Sequence, residues 1–405
     1  MIPDEYLRQT CHFLNNPRLK ENTAIHHQFQ KLSDYILGGD FDELVLVLDC
    51  YTTEVYPRYI RFSDCNVIAW DNHFWDIYGR FLFMYFTYKN LNKSLPQTFY
   101  MNYYKSMLLI YLANRFENHP AFARYLAEEY SKMDYKFPPY NEYEDINDIL
   151  DKVGHLPEFN ISKIFGFCHE VAHIAYRKKN TLSNVIQEQV IDYCEAIIQL
   201  EELKRKLDPL VEQKSNDKEM GTFLDIARRL LTNSDGKILE EVCCDIIAIC
   251  ILFQYFQDEA GMSLEEACSS LSSVNYFLLC VHWFSTSEVF WKSLYEVTTN
   301  VQNDDAFVNP KSPYYKLGNT ISDEYAVRIN FTFAFCNDKL GMKFDNYRVQ
   351  QEFMENGFTS LLSDSIGVDI MDVVLNKTKV AKTDYVHAIA HQKKKNKLIG
   401  WENEE

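Results

Sequence analysis

The stretch Phe165-Gly166-Phe167-Cys168-His169-Glu170-Val171-Ala172-His173-Ile174-Ala175-Tyr176 sets two histidines four positions apart, with a glutamate directly after the first. On a helix, positions i and i+4 project from one face about one turn apart. Both imidazoles can then grip a single ion at Zn–N distances of ~2.0–2.1 Å. Glu170 is rotated by ~100° from His169, beside the ligands but not among them. There it can hold and deprotonate a water on the metal. The other residues of the stretch are uncharged and none is proline, which suits the dry packing a metal helix needs. The competing reading is two core histidines satisfied by neighbours, with Glu170 pairing Arg177 or a lysine. The apolar frame favours the metal helix.

A catalytic zinc site takes three protein ligands and keeps a fourth position open. Position 179 is Lys and position 176 is Tyr, so the third histidine and the glycine of a metzincin are missing. Downstream, Leu239-Glu-Glu-Val-Cys-Cys-Asp-Ile-Ile-Ala248 places Glu241 and Asp245 at i and i+4 inside an otherwise apolar run. A carboxylate on that face completes a His₂Glu set. Asp245, one turn later, can accept an N–H from a ligand imidazole and fix its tautomer and orientation. A helix start also attracts acids through its dipole, so a purely structural role for this pair stays open. Glu240 is an alternative third ligand, and Asp225, in Gly221-Thr-Phe-Leu-Asp225, a more remote one.

His169-Glu170-x-x-His173 followed by Glu241-x-x-x-Asp245 resembles the gluzincin branch of the zincin-like metallopeptidases, the branch of thermolysin. The resemblance implies that His169, His173 and Glu241 ligate Zn²⁺, that Glu170 is the general base and that Asp245 accepts an N–H from a ligand imidazole without touching the metal. The separation between His173 and Glu241 is longer than in thermolysin, which agrees with a helical insertion at 180–235. Among gluzincins the chain is most similar to the Lit-type phage-exclusion peptidases. These share a strand and an aromatic helix before the motif, as in Val67-Ile-Ala-Trp-Asp-Asn-His-Phe-Trp75. Lit-type chains also carry a His-Pro with an arginine soon after it. Here only Asn309-Pro310 and Ser312-Pro313 occur, with Arg328 well beyond.

Composition narrows the partners. Hydrophobic residues make up 47% of the 405-residue chain and aromatic residues 15%, the make-up of a well-packed globular protein. A formal charge of −17 repels phosphate backbones and anionic lipid, so neither nucleic acid nor membrane is an expected partner. The basic run Lys393-Lys394-Lys395-Asn396-Lys397 reads as a solvated tail. His387-Ala-Ile-Ala-His391 lacks a glutamate after its first histidine and reads as an exposed terminal helix. No run of ~18 apolar residues occurs and the N-terminus has no apolar core, so a cytoplasmic location is expected. The 11 cysteines are odd in number and scattered, as reduced core thiols are.

Periodicity predicts helices over 73–88, 101–114, 181–207, 237–256 and 263–284, and one more before Gly38-Gly39. Strands are predicted at Glu43–Asp49 and Asn66–Trp70, with Val55–Phe62 as an edge strand. Asn141–Asp151 and Asn303–Asn319 read as loop or turn, and Asn160 or Ser162 as the cap of the motif helix. The expected fold is α+β and helix-dominated: a zincin-like domain over 1–300 with a small sheet before the active-site helix. Residues 301–405 form a mostly helical extension packed on it. The expected activity is zinc-dependent endopeptidase action on a protein or peptide substrate. His282, in Leu279-Cys-Val-His-Trp-Phe284, is the candidate oxyanion donor. Two other readings are a latent peptidase triggered by a protein partner, acting as a toxin or phage-defence effector, and an inactive zinc-binding interaction protein.

Overall fold

A computed structural model of the protein describes residues 23–38, 45–50, 56–61, 66–91, 156–207, 218–232, 236–299 and 313–344, with scattered positions within 100–111 and 357–362. In chain order these form α1 (Thr23–Leu37), β1 (Val45–Cys50), β2 (Arg58–Arg61), β3 (Asn66–Asp71), α2 (Asn72–Leu91), α3 (Pro157–Lys178), α4 (Thr181–Leu207), α5 (Lys218–Thr232), α6 (Lys237–Asp258), α7 (Leu264–Leu271), α8 (Val274–Thr299) and α9 (Pro313–Leu340). The described fold is α+β, dominated by helices, with one three-stranded sheet. None of its helices is long and apolar enough to cross a membrane. Asn141–Asp151, His387, His391 and the basic run lie outside the described residues.

The sheet has the order β1-β3-β2. The apolar strands β1 and β3 pair in parallel, Val45 opposite Asn66, and every residue of β3 is buried. Continuous apolar sequence is what a strand covered on both faces needs. β2 carries arginine at both ends and runs antiparallel to β3 at the sheet edge, Tyr59 opposite Ile68. Pro57, which has no N–H to give a ladder, stands just ahead of it. Asp71, fully buried, ties the end of β3 to its surroundings: Oδ1 accepts the His73 N–H at 2.9 Å and Oδ2 the Tyr56 N–H at 3.2 Å.

α3 is the central helix. Leu156 precedes it without a side-chain cap and Pro157 stands in its first turn. The expected cap at Asn160 or Ser162 is therefore corrected. Proline fixes a helical φ and lacks an N–H that the first turn leaves unpaired anyway, so the helix starts earlier. Ser162 lies inside it, donating to Glu158 O at 2.8 Å and sharing a 2.7 Å hydrogen bond with Tyr78. At the other end Lys179 adopts φ 52°, and Asn180 Oδ1 accepts the Ser183 N–H at 2.8 Å, closing α3 and opening α4 within two residues.

Fourteen α3 residues are buried, Phe159 to Ala175. Phe167 stacks on Phe29 of α1, ring centroids 3.9 Å apart, and Phe165 meets Phe277 of α8 edge-on at 5.7 Å. Full burial of side chains this size contributes ~1.5–3 kcal/mol each. α6 lies along α3 with Val242 to Ile249 buried, and α9 packs on both α6 and α8. The single helix expected over 263–284 is two. Ser263 and Glu266 form a capping box for α7, and Ser272 and Ser273 turn the chain before α8. Serine hydroxyls compete for helical backbone, as Ser272 does by bonding Cys268 O at 3.0 Å. The turn expected to Asn319 ends earlier, because α9 begins at Pro313. The 180–235 segment is occupied by α4 and α5. Their apolar stripes are helical in period, but Leu200 and Leu203 remain about half exposed.

Candidate metal centre

Two helices make the centre. From α3, His169 and His173 project one turn apart, their rings perpendicular with centroids 4.8 Å apart. From α6, Glu241 comes to meet them. The Nε2 atoms of the two histidines are 3.2 Å apart; Glu241 Oε2 is 3.3 Å from His169 Nε2, and Oε1 is 3.7 Å from His173 Nε2. Ligand atoms bonded at ~2.0–2.1 Å to one tetrahedral ion stand ~3.3–3.4 Å apart. The three groups therefore already have the spacing of a metal triad, and they form the one such group found among the described residues. Two imidazoles and a carboxylate suit a divalent transition ion.

Behind each imidazole stands another carboxylate. Asp245 Oδ1 is 2.8 Å from His169 Nδ1, although the oxygen is off the line of the ring N–H and the hydrogen bond is incomplete. Glu240 Oε1 is 2.8 Å from His173 Nδ1, steadied by Arg177 Nε at 3.3 Å. Glu240, the alternative third ligand of the sequence, thus faces Nδ1 of the ring and not Nε2, the nitrogen nearer Glu241. Asp225 is exposed and outside the triad. Cys244 Sγ also lies 3.5 Å from His173 Nδ1. Burial drives its thiol pKa far up, so it is a neutral packing group.

Glu170, 4% exposed, follows His169 directly. Its Oε2 accepts the backbone N–H of Tyr59 on β2 at 2.6 Å. Burial raises its pKa, and the neighbouring histidines offset this only partly. Burial alone lowers the pKa of His169, but Asp245 and Glu241 outweigh it and lift the value to about 10. A metal ion binding at this imidazole would displace that proton. For Glu241, burial acts upward and Arg328 downward, and the net is a carboxyl far below its usual range.

Arg328 was not among the site residues expected from sequence. It reaches in from α9 and is 2% exposed. Its Nε and Nη2 each lie 2.8 Å from Asp245, and Nη1 lies 3.2 Å from Glu241 Oε2. A sequence signal for it exists. It is the lone cation in the apolar run Val327-Arg-Ile-Asn-Phe-Thr-Phe-Ala-Phe335, as Asp245 is the lone acid of Val242 to Phe253. Tyr59 left no such signal, because the group it uses is its backbone N–H.

His282 lies on α8, its ring 5.9 Å from that of Trp283, and it is not part of the triad. Burial lowers its pKa to about 4, so it is a neutral imidazole.

No protein-family model matches this chain, and no curated protein or solved structure matches it.

Proposed function

We propose that this chain is a zinc-dependent endopeptidase of the zincin-like, gluzincin type, hydrolysing peptide bonds in an intracellular protein. The observation that carries the reading is the convergence of His169, His173 and Glu241 at metal-ligand spacing, with Glu170 against them and a carboxylate behind each imidazole. His169, His173 and Glu241 would hold the ion. Bound there, zinc supplies Lewis acidity, which acidifies water and polarises a peptide carbonyl.

Glu170 takes the proton of the attacking water and returns it to the leaving amine nitrogen. The Tyr59 N–H fixes one of its oxygens and leaves the other to carry the proton. Its burial favours the protonated form between the two transfers. Asp245 and Glu240 hold the imidazoles in orientation.

The test is incubation of the zinc-loaded chain with unfolded protein substrates, reading new termini by mass spectrometry. Cleavage should cease with a chelator and in Glu170→Gln. Cleavage indifferent to both sinks the proposal, and zinc uptake without any cleavage favours an interaction protein.

One observation favours a second reading, a latent peptidase released by a protein partner, as in a toxin or phage-defence effector. His169, Glu170 and His173 are all less than 10% exposed, so a peptide needs an opening movement to reach them. In that case cleavage emerges only when the partner is added, and Glu170→Gln still abolishes it.

A further inference from the structure

Asp245, fully buried, and Glu241, partly buried, sit one turn apart on α6, two carboxylates in otherwise apolar surroundings. Such a pair repels and is costly to bury unless a cation lies between. Arg328 is that cation, brought from α9, 83 positions along the chain from Asp245. Its fork is bidentate on Asp245: Nε to Oδ2 and Nη2 to Oδ1, both 2.8 Å. Asp245 Oδ1 is also the atom that stands 2.8 Å from His169 Nδ1. The position of that oxygen therefore depends on the guanidinium. Nη1 meanwhile meets Glu241 Oε2, the atom 3.3 Å from His169 Nε2.

We propose that Arg328 is a positioning residue of the metal centre: by clamping Asp245 it sets the ring of His169, so that metal affinity depends on a side chain from α9. The inference rests on the reading of His169, His173 and Glu241 as ligands. A planar two-pronged donor is required, because a lysine ammonium matches the charge but not the bidentate geometry. Removing the clamp frees Asp245 to turn away from His169, and loss of such an outer partner costs ~10–100-fold in metal affinity.

The experiment is a zinc competition titration against a chromophoric chelator, on protein shown by circular dichroism to be folded. It compares wild type, Arg328→Met, Arg328→Lys, Asp245→Asn and the Arg328→Met/Asp245→Asn double variant. Both arginine variants should bind zinc ~10–100-fold more weakly. The loss in the double variant should be smaller than the two single losses combined, since the bidentate fork of Arg328 acts through Asp245 and only Nη1 reaches Glu241. A residue that only stabilises the fold leaves affinity unchanged in folded protein. Wild-type affinity in folded Arg328→Lys or Arg328→Met overturns the proposal, and so do losses that add in the double variant. If Arg328→Met does not fold, Arg328→Lys decides alone, because wild-type zinc affinity in the folded lysine variant overturns the proposal. A folded wild type that takes up no zinc overturns the ligand reading itself, a distinguishable result.

Discussion

Glu240 Oε1 lies 2.8 Å from Nδ1 of His173, behind the ring whose Nε2 is 3.2 Å from Nε2 of His169. Glu240 and Glu241 are sequence neighbours, ~100° apart around the helix, and they meet the same imidazole from opposite sides. The adjacent acids therefore have different tasks. Glu240→Ala and Asp245→Ala should each weaken zinc binding by ~10–100-fold, as outer partners do. Glu241→Ala removes a ligand and should weaken it by more than either. Competitive chelation ranks the three; Glu240→Ala as the most damaging change contradicts this geometry.

The two outer carboxylates part company in stability. Asp245 is fully buried, and its loss leaves Arg328 without its bidentate partner in the interior, at a cost of ~3–5 kcal/mol. Glu240 is 21% exposed and its partner Arg177 half exposed, so Glu240→Ala should cost no more than ~1 kcal/mol. Denaturant unfolding of the metal-free variants measures the difference. Equal costs contradict the account of Asp245.

Glu170 contacts Tyr59 and borders the triad without joining it. Glu170→Gln should therefore keep zinc and fold while the turnover number falls by ~10²–10⁴-fold, the usual contribution of a general base. A peptide-hydrolysis assay beside metal analysis checks both halves. Near-normal turnover in the variant contradicts the assigned role.

Gly166 faces Trp75 so closely that an added Cβ would stand 3.0 and 3.1 Å from its ring. Trp75 is 2% exposed and wedged against Trp70, Phe74 and Phe277, with no space to retreat. Gly166→Ala gains ~1 kcal/mol of helix propensity but forces a packed ring aside at ~1–3 kcal/mol. The net should be a lower melting temperature, read by thermal denaturation. A higher one means that the α2–α3 contact is looser than described.

Part of this arrangement was legible in the sequence. The i, i+4 histidines state a helix and a shared face together, and the parallel pair β1–β3 shows as two short apolar runs. Thr181–Leu207 is a helix of the predicted length, since its apolar positions recur at helical spacing and Pro209 follows it. The break at Ser272-Ser273 was not legible, because apolar periodicity continues through it. The choice of Glu241 over Glu240 rested on its i, i+4 spacing to Asp245 and on the gluzincin resemblance, and the rotation of α6 against α3 does bring Glu241 to the two histidines. Arg328 stands out as the lone cation of an apolar run, but its partners are not readable from that run. Its meaning depends on where α9 docks, and docking is a property of side-chain packing between distant segments.

The most direct measurement of the central claim is metal analysis of the purified chain beside its His169→Ala, His173→Ala and Glu241→Ala variants. The account predicts about one zinc per wild-type chain and far less in each folded variant, because three protein ligands hold the ion. A wild-type chain that takes up no zinc, or variants that all retain it, would contradict the metal centre and the peptidase reading with it.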